Sequence, residues 1–222
     1  MDGIIRRREA IEETAISCPY ITDGLIFWLD GINQGGVSGE WKDLIGGKIF
    51  TLVNCTQNAT GVYFNGSSSY GYTLGAISSN YDAETIEAAI DKVDTNNRCI
   101  LCPYYTSPIG IGLVFSNGSG WGQLNLDGVS KRRFAGNSDG KWGTFSANTS
   151  YIVEDGVQKS WTNVDSWAKN QSSYTYLGAR YTTSRSRYFN STIHSIRIYN
   201  RKLSVAEMQA NQAVDVTRFG LT

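Results

Sequence analysis

The chain has 222 residues, and its 20 Lys and Arg balance its 20 Asp and Glu to a formal charge of zero. That balance offers no electrostatic footing for nucleic acid or an anionic membrane surface. No apolar run approaches the roughly 18–20 residues that cross a bilayer as a helix, so membrane insertion is not expected. With 24 Gly, only 3 Pro and 12% aromatics, the composition is that of short strands joined by many turns. The length suits one all-β domain with an appendage and is enough to bury a sizeable core.

Residues 1–20 stand apart. Ile4, Ile5, Arg8, Ile11 and Ala15 fall near one helical face, Asp2 is placed to cap, and Arg8 and Glu12 form an i, i+4 pair. A helix this short is marginal alone. It is expected to dock on a sister subunit or a larger assembly through Ile4, Ile5, Arg8 and Ile11, which implies a homo-oligomer or a particle. Its basic run has no apolar stretch behind it, so it does not read as a secretory signal.

From Asp23 the pattern turns to strands. DGLIFWLDG reads as a buried strand bounded by glycines, and GEWKDLIGGKIFTL as a turn and a second strand. In GVYFNGSSSYGYTLG, Val62 and Phe64 lie on one side of a Gly-Ser turn and Tyr70, Tyr72 and Leu74 on the other, which predicts a hairpin. TIEAAIDKV is ambiguous by composition and is read as a strand because strand-like RCILCPY follows. IGIGLVFSNGSGWGQLNLDG predicts a hairpin around Asn117-Gly118. GKWGTFSA, SYIVEDGVQKSW, YTYLGARY and STIHSIRIYN complete a series expected of a β-sandwich or barrel. In the last of these Ile196 and Ile198 alternate with Arg197 and Tyr199, and Ile193 is out of phase, which marks a bulge or an edge. Ser204-Val-Ala-Glu207 is then a capping box, with Leu203 and Met208 as its hydrophobic staple, so a helix is expected to begin at Ser204 and lie on the sandwich.

The run STIHSIRIYNRKLSVAEMQANQ resembles the C-terminal signature of laminin-G-like domains of the concanavalin A-like lectin/glucanase superfamily. GLIFWLDG, GEWKDLIGG, GVYFNGSSSYGYTLG, VEDGVQKSW and YLGARY are similar to other stretches of that family and stand in its order. The resemblance spans roughly residues 23–213. It implies an all-β jelly-roll sandwich of two antiparallel sheets over residues 21–222, with the arm 1–20 outside it and the C-terminal helix as a cap. It also implies that Trp28 and Trp41 are core residues and that Asp43 serves a turn. The superfamily holds lectins, enzymes and adhesive modules, so function must come from the site.

Four cysteines, Cys18, Cys55, Cys99 and Cys102, are expected as free, buried thiols. Cys99 and Cys102 have half-site zinc spacing, but on a regular strand residues three apart face opposite ways, so no metal site is expected. No paired carboxylates at glycosidase spacing can be named. Glu154 and Asp155 are adjacent at a Gly turn, Glu84 and Glu87 are three apart, and no Gly-x-Ser-x-Gly elbow occurs. His194 is the sole histidine and reads as a packing or surface residue. The expectation is a protein that is not an enzyme and needs no cofactor. Calcium enters only through the family resemblance, with Asp127, Asp139 and Asp155 as candidate ligands.

Polar loops with aromatics point to glycan binding. Trp121, Trp142, Trp161, Trp167, Tyr181 and Arg185 are the candidate platform. A lectin-like module without a secretory signal, carrying a docking arm, suggests a virion: a bacteriophage fibre or decoration protein, made in the host cytoplasm and attached to other virion proteins. The alternative is an extracellular bacterial adhesin. The seven Asn-x-Ser/Thr sequences, Asn54 and Asn190 among them, then read as turn chemistry.

Overall fold

The computed structural model describes residues 17–75, 77, 83–92, 98–103, 112–116, 121–126, 129–132, 143–160, 162–166, 174–181 and 184–221, with the strands inside 112–132 and 162–166 given by backbone pairing. The arm residues Ile4, Ile5, Arg8 and Ile11 lie outside the described residues, as do Trp142, Trp161, Trp167, Asp127, Asp139 and the Asn117-Gly118 turn.

In chain order the strands are β1 (Leu25–Asp30), β2 (Glu40–Lys42), β3 (Ile49–Val53), β4 (Thr56–Gln57), β5 (Val62–Tyr63), β6 (Tyr70–Leu74), β7 (Thr85–Ile90), β8 (Cys99–Pro103), β9 (Gly112–Ser116) and β10 (Trp121–Leu126). They continue as β11 (Val129–Arg132), β12 (Phe145–Asn148), β13 (Tyr151–Glu154), β14 (Val157–Ser160), β15 (Thr162–Ser166), β16 (Tyr174–Leu177), β17 (Arg180–Tyr181), β18 (Arg185–Ser186) and β19 (Thr192–Tyr199), followed by α1 (Val205–Phe219). They form an all-β sandwich. One sheet runs β14-β13-β12-β7-β19-β5-β4, with β1 also on β19, and the other runs β15-β11-β10-β9-β8-β16-β6-β3-β2. The paired strands of both sheets are antiparallel.

The core lies between the sheets. Phe27, Leu29, Ile86, Ala88, Phe145, Ile196 and Ile198 of the first sheet meet Trp41, Phe50, Ile100 and Leu177 of the second. Trp28 and Trp41 are buried as expected. Asp43 is the turn residue: its Oδ1 accepts from the Trp28 and Ile45 amides and its Oδ2 from Gly46. TIEAAI is indeed a strand, and both of its faces are buried because α1 covers the side away from the core. The phase break at Ile193 is a bulge between Ile193 and Ser195 in a strand flanked on both sides.

GVYFNGSSSYGYTLG is not a hairpin. β5 belongs to the first sheet and β6 to the second, so the chain crosses the sandwich between them. Asn65 makes the bend: its Oδ1 accepts from the backbone N–H groups of Ser67, Ser68 and Ser69 at 2.9–3.1 Å. Gly66 supplies the left-handed step at φ +75°, where its Cα face meets Asn190. The alternation along each half was legible, but alternation alone does not say which sheet a strand joins.

The helix starts as the capping box requires. Glu207 N–H donates to Ser204 Oγ at 3.3 Å, and Ser204 N–H donates to Glu207 Oε2 at 2.8 Å. Leu203 and Met208 are buried in one cluster with Tyr199 and Val153. Beneath α1 the outer face of the first sheet is polar and dry. Arg197 Nε donates to Glu87 at 2.8 Å, and its two terminal nitrogens donate to the Asp215 carboxylate at 2.7 and 2.6 Å. Tyr20 lies over the guanidinium at 3.9 Å and donates its hydroxyl to Asp215. Burial by itself would lower the Arg197 pKa; the Asp215 and Glu87 carboxylates outweigh it and hold the group charged.

Cys99 and Cys102 are bonded to each other, not free, while Cys18 and Cys55 are free. The regular-strand argument fails because β8 carries a bulge between Cys99 and Leu101, and the extra residue turns both sulfurs to one face.

Candidate functional site

Covered on one side by the core, the nine-stranded sheet turns its other face outward, and two short sequences decide what that face carries. Tyr70-Gly-Tyr72 on β6 and Tyr174-Thr-Tyr176 on β16 each place tyrosines two apart, hence on the same side of the pleat. Tyr72 and Tyr176 stand directly opposite in the ladder, and Tyr174 faces Leu74. Gly71, between the first pair, turns inward, where a Cβ would come within 3.1–3.2 Å of Leu52 and Leu177. It brings the strand close to the core and leaves the tyrosines upright.

The rings form one aromatic cluster. Tyr70–Tyr72, Tyr70–Tyr176, Tyr72–Tyr176 and Tyr174–Tyr176 centroids are 6.2, 6.4, 6.5 and 6.3 Å apart. The β17–β18 hairpin folds back over them. Tyr181 stacks on Tyr176 at 5.4 Å, and the Arg185 guanidinium lies 3.9 Å over the Tyr70 ring and 5.3 Å from that of Tyr181. Tyr181 and Arg185 pair in the hairpin register. Tyr70, Tyr72, Tyr174 and Tyr181 are partly exposed and Arg185 is open to solvent. Leu74 at 68% and Ile49 at 45% exposure extend the face with aliphatic surface. Beneath the hairpin lies the Cys99–Cys102 bridge, with Cys102 opposite Tyr176 in the ladder.

Of the six residues expected to form a platform, Tyr181 and Arg185 are brought together here. Trp121 opens β10 opposite Ser116, in the same sheet but three strands from β16. Trp142, Trp161 and Trp167 fall outside the described residues. The residues missed were Tyr70, Tyr72, Tyr174 and Tyr176. Their signal was available in the sequence as two Tyr-x-Tyr pairs.

A second concavity of about 570 Å3 lies between α1 and the ends of the first sheet, lined by Ile90, Asp91, Thr144, Asp155, Val216 and Leu221 among others. His194 backs it: its Nε2 is 2.9 Å from Asp91 Oδ1, its Nδ1 2.8 Å from the Thr60 carbonyl, and its ring stacks on Phe219 at 5.2 Å. Histidine is thus a packed residue. Glu154 is buried and paired with Lys159, whereas Asp155 sits on the two-residue turn with Gly156, where both have positive φ. Glu87 and Asp215 do converge, but both are fully buried and bridged by Arg197. Among the described residues no group of three or more His, Cys, Asp or Glu side chains is placed to hold a metal ion. No described helix is long and apolar enough to cross a membrane.

No protein-family model and no curated protein sequence matches the chain. Solved structures do. A Trypanosoma rangeli sialidase in complex with sialic acid superposes with TM-score 0.58 at 16% identity, over 86% of this chain and 33% of the sialidase. The binding domain of botulinum neurotoxin serotype D/C superposes with TM-score 0.58 at 13% identity, over 85% of this chain and 52% of that domain. A structure titled HCR/D-Sa-GBL1/C superposes with TM-score 0.60 at 13% identity, over 84% and 50%. The chain therefore spans about a third of the sialidase and about half of the other two structures. At these identities the likeness is one of fold alone: an all-β sandwich.

Proposed function

We propose that the protein is a non-enzymatic, lectin-like module that binds glycans on the outer tyrosine face of its larger sheet. One observation carries this reading: Tyr70, Tyr72, Tyr174, Tyr176 and Tyr181 form a continuous aromatic cluster on the outer side of the sheet, built on the buried Tyr176 and with the other four partly exposed. Sugar rings present apolar C–H faces that stack on such rings, and phenol hydroxyls supply hydrogen bonds at the edges. The hydroxyls of Tyr70 and Tyr72 have no hydrogen-bond partner among the described residues. The fold likeness to a sialidase in complex with sialic acid and to a toxin binding domain supports the same direction. A non-catalytic role is favoured because the two carboxylates that converge lie under α1, sealed from solvent.

The setting we infer is a particle surface, a bacteriophage fibre or decoration protein, to which residues 1–20 fasten the module. That part rests on the sequence of the arm alone. The test of the binding reading is a glycan array probed with the whole chain, with calcium and with chelator. Binding is expected in both conditions and is expected to weaken about tenfold or more in Tyr72→Ala. Silence across a broad array overturns it. Deleting residues 1–20 tests the setting: an oligomer should become a soluble monomer, and an unchanged oligomeric state argues for an adhesin instead.

A further inference from the structure

Arg185 is held in an unusual way. Its guanidinium carbon lies 3.9 Å over the Tyr70 ring and 5.3 Å from that of Tyr181, and among the described residues it has no salt bridge and no hydrogen bond. Stacking uses the face of the guanidinium and leaves its in-plane N–H donors unspent. Among the described residues these donors have no carboxylate partner. The chain has no acidic residue from Ile49 to Tyr81, which includes β6, and none from Ser166 to Ala206, which includes β16, β17 and β18. The latter stretch contributes Arg180 and Arg187 beside Arg185. The strands that carry the aromatic face thus bring basic and no acidic side chains, in a chain whose overall charge is zero.

From this we infer that the face selects acidic glycans, with the planar carboxylate of a sugar acid taken bidentately by Arg185 while its ring rests on the neighbouring Tyr72. This rests on the glycan-binding reading above. A guanidinium fork matches a carboxylate in geometry as well as charge, and its orientation is already fixed by two rings, so little rotamer freedom is lost on binding. An exposed lysine could supply the charge without the fork.

The test uses the whole chain on an array of matched glycans, each neutral member paired with the same glycan carrying a uronate carboxylate, and a third series carrying 6-sulfate. The wild type is expected to favour the carboxylate series at least about tenfold over the neutral one, as charge-assisted pairs are worth roughly twice neutral ones. Arg185→Met should erase that preference, read as the ratio of acidic to neutral binding within each variant, and Arg185→Lys should not restore it. The preference should weaken as salt rises. Equal binding of acidic and neutral members, unchanged in Arg185→Met, overturns the inference and leaves glycan binding standing. Preference for sulfate over carboxylate overturns the fork. Silence on all three series overturns the glycan reading and this inference together. Arg185 is exposed, so the variants should fold, and an unchanged thermal midpoint checks it.

Discussion

The two outer faces of the sandwich solve opposite problems with similar residue types. On the smaller sheet, Glu87, Arg197 and Asp215 are roofed by α1 and matched to one another. On the larger sheet, an arginine and five tyrosines cluster under no helix, and all but Tyr176 keep some exposure. Arg197 has spent its donors and Arg185 has not. A buried ion network with every charge answered fastens a helix. An exposed guanidinium with no carboxylate partner among the described residues is, in the reading proposed above, the ligand contact. Burial and partner count separate the two roles, and the residue names do not.

The largest effect should come from breaking the closed face. Arg197→Met leaves two carboxylates buried without their counter-charge and is expected to cost about 3–5 kcal/mol. Urea denaturation reads this, and a loss under about 1 kcal/mol would mean that the network is not as dry as its zero exposure indicates. On the open face, Tyr72→Ala should do the reverse. Glycan affinity should fall about tenfold or more, about 1.4 kcal/mol, with a smaller change in stability. If stability falls more than binding, the tyrosines are packing and not platform.

A smaller effect belongs to the helix cap. The Arg201 guanidinium and the Ser204 amide hold the Glu207 carboxyl down to a pKa of about 2. A depressed carboxyl stabilises the fold above its unfolded pKa, near 4.5, and loses that contribution as pH falls toward 2. Glu207→Gln should therefore cost about 1 kcal/mol at pH 7, with the gap to wild type closing between pH 4.5 and 2. A gap independent of pH would assign the cap to shape alone. The smallest change is chemical. Denatured protein should titrate as two thiols before reduction and four after, and four from the outset would remove the Cys99–Cys102 bridge beneath the hairpin.

Local chemistry was legible and its pairing was not. The capping box, the staple, the Asp155-Gly156 turn and the Ile193 bulge all depend on neighbours within a few residues, and all stand as read. What failed required knowing which sheet a strand joins or how a bulge turns it, as at Asn65–Ser69 and at Cys99–Leu101. The candidate site was legible in part: Tyr181 and Arg185 stand together, and Trp142, Trp161 and Trp167 lie outside the described residues. Tryptophans in polar loops drew attention by size, while Tyr70, Tyr72, Tyr174 and Tyr176 looked like ordinary strand residues. Their meaning appears only when β6 and β16, a hundred residues apart, are set side by side.

β19 joins β1, β5 and β7. It is also the last strand of its sheet to leave the ribosome. Until residues 192–199 emerge, the nascent chain holds the edges of β1 and β7 open, with Phe27, Leu29, Ile86 and Ala88 unsheltered. Assembly is then one late, long-range event and not a stepwise zipping, which makes it slow and exposes the growing polypeptide to self-association during translation. Production of the protein should accordingly be limited by how well its half-made sheet is kept apart from its copies, and chaperone supply should raise soluble yield more than any added stability in the finished fold.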